Sequence, residues 1–113
     1  MALTITDLAT AVLEELGVLA SGETPSAEDG VTVQTAYVNW RRTAQNRMII
    51  DWYDDEEEIP DGAEHGVTLC VCNQVYRKFG RERDPSWLVE GEAALSDYMH
   101  NNYPAPQTEI VNF

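Results

Sequence analysis

Apolar positions recur through the first hundred residues at helical rather than strand spacing. Leu8, Val12, Leu16 and Leu19 form the first stripe, with Glu14 and Glu15 turned outward. Thr6 offers an N-cap, Asp7 a first-turn acid and Gly17 a left-handed C′ residue, which together predict a helix ending near Gly17. Val18 and Leu19 then pack just beyond it. Residues 20–25 read as a loop, and Pro25 fixes the entry to Ser26, which pairs with Asp29 in a capping-box-like start. The second helix carries Val33, Tyr37, Trp40, Ala44 and Met48 on one face, with Arg41 and Arg42 flanking the stripe and Arg47 a turn later. Gly30 costs about 1 kcal/mol against Ala near its start, which predicts an irregular first turn. Ile49, Ile50, Trp52 and Tyr53 either close the core or run on as an extended segment.

The acids at 54–58, followed by Ile59 and Pro60, predict a solvated loop. Asp61 and Glu64 mark the start of a third helix running from about Gly62 to Phe79 and stopping at Gly80. It has two apolar rows, one of Val67, Val71 and Val75, the other of Leu69, Cys72, Tyr76 and Phe79. A surface that wide predicts a central helix contacted on both sides. Arg77, Lys78 and Arg81 complement the dipole at its C-terminal end. Asp84-Pro85 is an N-cap with Pro at N1, opening a fourth helix through Trp87, Leu88, Leu95 and Met99 to about His100, weakened at Gly91. From Asn101 the pattern ends in a tail with two prolines. The expected fold is all-α, a small bundle of about four helices over residues 1–100 with an extended C-terminal arm over 101–113.

Charge changes this picture more than composition does. Twenty acids face seven bases, for a net charge of −13. The bases fall in two clusters: Arg41, Arg42 and Arg47, then Arg77, Lys78, Arg81 and Arg83. Residues 1–40 and 84–113 have no Lys or Arg. Such a surface repels nucleic acid, although it suits a path through which DNA must slide without sticking. No apolar run reaches the ~18 residues needed to span a bilayer, and the N-terminus lacks a basic n-region. The expectation is a soluble, cytosolic chain with no membrane partner.

Candidate chemistry is sparse. Cys70 and Cys72 would point about 200° apart on a helix, so they read as buried thiols rather than a bridge or metal pair. His65 and His100 lack partners at metal-site or triad spacing. The acid run lacks the glycine turn and alternating oxygen ligands of an EF-hand loop. Nothing singles out a carboxylate pair for glycosidase chemistry, and Gly17 and Ser21-Gly22 form no phosphate-binding fingerprint. No catalytic residue, metal or cofactor is expected. Two of Trp40, Trp52 and Trp87 suit the core and one an interface. The apolar end of the tail, Ile110, Val111 and Phe113, suits docking on a partner ahead of fraying or packing back on its own chain.

The stretch from Leu13 through Gly17-Val18-Leu19 to Gly22-Glu23-Thr24-Pro25-Ser26 and Asp29 resembles the first helix and loop of bacteriophage head-to-tail adaptor proteins, the head-completion or packaged-DNA-stabilisation type. In that family the turn leads to a second helix ending near a tryptophan, here Trp52. An Ile-Pro, here Ile59-Pro60, opens a third helix that closes on Phe79-Gly80. The resemblance covers about residues 8–80. It implies a homo-oligomeric ring, usually dodecameric, docked below the portal protein at the head–tail junction of the virion. Such a ring extends the DNA channel, helps retain the genome and offers a platform for a tail or stopper protein.

The family's C-terminal arm commonly reaches the portal, which assigns that role to Tyr103, Pro104, Pro106, Ile110, Val111 and Phe113. The prolines keep the segment extended, and its apolar end could enter a groove or join a sheet edge. Acidic faces would line the channel, while Arg41, Arg42, Arg47, Arg77, Arg81 and Arg83 pair with acids of a neighbour or portal. The charge also fits a second reading, an acidic DNA mimic that inhibits a host nucleic-acid-binding protein. A third, a virion peptidoglycan hydrolase, would need an isolated carboxylate pair in a cleft.

Overall fold

The first apolar stripe becomes a helix through a cap two residues upstream of the expected one. In the computed structural model, which describes residues 3–47, 50 and 58–102, the chain opens with β1 (Leu3–Thr4) and passes directly into α1 (Ile5–Glu15). Thr4, not Thr6, is the N-cap: its Oγ1 accepts a hydrogen bond from the Asp7 N–H at 3.1 Å. Thr4 pairs with Glu58 in an antiparallel ladder, so its backbone is already extended, as a cap requires. At the other end Gly17 adopts φ +76°. Its N–H donates to the Glu14 carbonyl and that of Val18 to the Leu13 carbonyl, both at 3.0 Å. These two bonds are a Schellman motif at the predicted stop.

Helix α2 (Ala27–Asn46) starts where expected, with Ser26 Oγ accepting from the Asp29 N–H at 3.2 Å. Its first turn is regular despite Gly30, whose N–H donates to the Ser26 carbonyl at 2.9 Å. Val33, Tyr37, Trp40 and Ala44 are buried in the predicted order. Arg41 departs from expectation: it does not flank the core but enters it, 1 % exposed, with its guanidinium carbon 5.4 Å from the Tyr37 ring centroid. The i, i+4 spacing stacks the planar cation on the aromatic face. Met48, Ile49, Trp52 and Tyr53 lie outside the described residues, whereas Ile50 is buried.

β2 (Glu58–Ile59) pairs Ile59 with Leu3, so Glu58 belongs to a short ladder rather than to the solvated loop predicted for residues 54–58. The remaining acids of that run lie outside the described residues. Helix α3 (Glu64–Val75) begins later than predicted, and Asp61 does not cap it. Gly62, at φ +95°, spends a turn reversing the chain, and its N–H donates to Glu64 Oε1 at 2.8 Å. From Tyr76 to Phe79 the helix tightens into a 3₁₀ segment that stops at Gly80, φ +70°.

As predicted, α3 is central: it packs against α1, α2 and α4, and every residue from Gly66 to Cys72 is buried. Helix α4 (Pro85–Asn102) runs slightly beyond His100. Its start is as expected, since Asp84 Oδ1 accepts from the Ser86 N–H at 2.9 Å and the Ser86 hydroxyl at 2.7 Å. The described residues thus form an all-α bundle of four helices, with one two-stranded ladder tying its N-terminus to the start of α3.

Gly91 is not a weak point of α4 but its closest approach to α3. A Cβ there would lie 2.8 Å from Cys70 Sγ and 3.0 Å from the Gly66 carbonyl oxygen. A Cβ on Gly66 would meet Leu95 Cγ at 2.7 Å and the Gly91 carbonyl at 2.9 Å. Gly30, by contrast, has open space at its Cβ position. Helix propensity alone predicts that Ala stabilises both positions. We expect Gly30→Ala to raise stability by about 0.5 kcal/mol, and Gly91→Ala to lower it by about 1–3 kcal/mol through overpacking. Urea unfolding followed by circular dichroism measures both, and a stabilised Gly91→Ala variant would refute the tight crossing.

Candidate interaction surfaces

The two cysteines occupy opposite sides of α3. Cys70 lies toward α4, beside Gly91, whereas Cys72 Sγ approaches the Val12 carbonyl of α1 at 3.7 Å. Both are free and fully buried. Burial pushes each thiol from 9.0 up to about 12, reinforced at Cys70 by Glu92 and at Cys72 by Glu15. They are packing groups, as their spacing suggested. Trp40 and Trp87 are also core residues, Trp87 lying 5.9 Å from the Tyr76 ring.

The basic residues other than Arg41 are at the surface, and several act as ties within the chain. Arg47 reaches Glu92 at 3.4 Å, linking the end of α2 to α4. Arg81 donates to the Gly17 carbonyl at 2.9 Å, closing the turn after α1. Arg83 donates to the Asn73 side-chain carbonyl at 3.4 Å, and Arg77 lies 5.9 Å from the Tyr76 ring centroid. Arg42 and Lys78 are exposed. All the arm residues, Tyr103, Pro104, Pro106, Ile110, Val111 and Phe113, lie outside the described residues.

Acids cover the outward faces: Asp7, Glu14 and Glu15 on α1, Glu28 on α2, Glu90 and Asp97 on α4. Asp84 is held below the ordinary carboxylate range by the Ser86 hydroxyl and then the Ser86 N–H. One grouping was not visible in sequence. The packing of α1 on α3 brings Glu14 and Glu15 to a cleft of about 440 Å³ also lined by Ala11, Glu64, His65 and Thr68. The Thr68 hydroxyl is already engaged, donating to the Glu64 carbonyl at 2.8 Å. Among the described residues no three His, Cys, Asp or Glu side chains are arranged to hold a metal ion. The cleft therefore offers negative potential and hydrogen-bond acceptors, a setting suited to a cationic group. A second cleft, of about 340 Å³, separates the first turns of α1 and α2 and is lined by small and polar residues including Thr10, Thr24 and Val31.

No protein-family model, curated protein or solved structure matches the chain. Among the described residues, no helix is long and apolar enough to cross a membrane.

The buried thiols carry a pH prediction. Both are protonated in either state below pH 9, so their stabilising contribution is fully present there. As pH rises from 9 toward 12 the unfolded thiols ionise while the folded ones do not, and that contribution is lost. The urea midpoint should fall more steeply above pH 9 for the natural chain than for a Cys70→Ala/Cys72→Ala variant. Thiol labelling at pH 8 should proceed only as the chain unfolds, and rapid labelling of the native protein would contradict the packing.

Proposed function

We propose that the chain is a structural adaptor of a tailed bacteriophage. In this reading it forms a ring below the portal, extends the DNA channel, helps retain packaged DNA and presents a platform for the tail or stopper protein. The observation that carries the reading is the surface: carboxylates on the outward faces of α1, α2 and α4, with the exposed bases gathered at the ends of α2 and α3. Repeated around an axis, such acidic faces make a lumen to which DNA phosphates do not adhere. The resemblance of the Gly22–Ser26 turn and its flanking helices to phage adaptors supports the same assignment.

In this reading the helical body is the wall of the ring and residues 103–113 are its fastener. Extended, eleven residues reach roughly 35 Å, enough to cross from one subunit to the next component. The charge also fits an acidic mimic of DNA, which would act as a compact inhibitor and need no arm.

Deleting residues 103–113 separates the two. Co-sedimentation with the portal ring of the same virus should be lost while the helical circular dichroism signal is retained. Unchanged portal binding would remove the arm from the mechanism. A full-length chain that ignores the portal but displaces DNA from a host nucleic-acid-binding protein would establish the mimic instead.

A further inference from the structure

Where α1 and α2 begin, two clefts adjoin. One, of about 340 Å³, runs between the first turns of the two helices and has Ala9, Thr10, Pro25, Gly30 and Val31 in its walls. The other, of about 430 Å³, lies beside the β1–β2 ladder and is lined by Thr4, Ile5 and Glu58. Thr6 and Gln34 line both, so the two form a trough along the start of α1. Small side chains keep it open. Gly30 has nothing within 4 Å of its Cβ position. Val31, 62 % exposed, is one of two large apolar residues exposed among those described. Valine is not a favoured helix former, and this one leaves its apolar surface to water in the wall of a cleft.

The shape suits an extended chain. From Thr4 to Thr10 the trough follows about 9 Å of helix rise, the length of roughly three extended residues. It reaches the Thr4–Glu58 pair of a ladder that has no third strand among the described residues. Unpaired strand backbone of this kind is available to an added segment.

Charge selects the occupant. Two of the lining residues are charged, Asp7 and Glu58, and both are carboxylates. Each helix N-terminus contributes about half a positive charge, but Glu28 and Asp29 add two further acids in the first turn of α2. Residues 1–40 contain no base. The trough therefore combines an apolar end at Val31 with an excess of negative charge. Residues 84–113 of this chain also lack Lys and Arg, so its own tail does not carry the matching charge.

We propose that the trough binds a short extended segment of another protein, in which an aliphatic side chain is flanked by lysine or arginine. The aliphatic group covers Val31 and fills the space over Gly30, while the cations lie against Asp7 and Glu58. This inference goes beyond the adaptor reading and does not depend on it.

Selection from a random heptapeptide library on the full chain tests the proposal. Enriched sequences should place Lys or Arg beside an aliphatic residue, and their synthetic peptides should shift the backbone amide resonances of Thr10, Gly30 and Val31. Gly30→Leu fills the open space with a good helix former and should weaken binding roughly tenfold or more. Asp7→Asn/Glu58→Gln keeps the backbone cap and ladder bonds, and should weaken binding about threefold or more while flattening its salt dependence. Circular dichroism checks that both variants fold. The proposal is overturned if no sequence is enriched, if the enriched sequences are acidic or lack a base, or if both variants bind as the natural chain does. A synthetic peptide of residues 103–113 that shifts the same amides would assign the trough to the chain's own tail instead. Self-association abolished by Gly30→Leu would assign it to a second copy, and either result also overturns the proposal.

Discussion

Backbone contact between α3 and α4 at Gly66 and Gly91 is the constraint on which the rest of the bundle depends. Each glycine sits where a single methyl group would collide with the partner helix, and the nearest atoms include backbone as well as side chain. Backbone cannot rotate away as a side-chain tip can, so the crossing point admits little else. Close approach there lets Cys70 and Leu95 fill the space beside the glycines, and it holds α4 along one side of α3. The other sides of α3 are then free to receive α1 and α2, with Val67, Val71 and Val75 fully buried among them. At about 1.5–3 kcal/mol for each buried aliphatic side chain, a central helix packed against three others is the main source of cohesion in so small a domain.

The same centrality explains how charge is distributed. A helix buried along most of its length leaves the other helices to carry most of the solvated surface, and they carry it mainly with carboxylates. Repulsion among so many acids opposes compaction, and several of the few bases are placed where they do a structural task. Arg81 closes the carbonyl left by the turn at Gly17, Arg47 ties α2 to α4, and Arg41 lies on Tyr37 inside the core. Arg81 thereby links the end of the first helix to the segment that follows the third, two places far apart in the chain.

An adaptor reading asks two things of such a molecule: a rigid body that repeats without unfolding and surfaces that recognise components in order. The glycine-pinned bundle suits the first. Its acidic faces and clustered bases suit the second, because opposed potentials orient an encounter before contact is made. The arm would add a fastening independent of the body's charge, through apolar groups rather than ionic ones. Division of labour of this kind lets attachment to a portal and attachment between subunits respond differently to salt.

Much of the fold was legible in the chain because its signals are local. The Ser26–Asp29 and Asp84–Pro85 starts, the Gly17 and Gly80 stops and the four apolar stripes each depend on residues within a turn or two of one another. Most of what failed depended on partners beyond the same helical turn. Thr4 replaced Thr6 as cap because β1 pairs with β2, Asp61 lost its capping role to a turn at Gly62, and Gly91 changed from a weakness to a contact. Arg41 reads as a surface base until the folded chain buries it beside Tyr37. The candidate site divides in the same way. The clustering of bases was written in the order of residues, whereas the cleft that unites Glu14, Glu15, Glu64 and His65 exists only because α1 packs beside α3. Periodicity and most caps follow from neighbouring dihedrals and hydrogen bonds, so the order of residues determines them. Which surfaces then meet, and how closely, is decided by packing between helices that only the folded chain brings together.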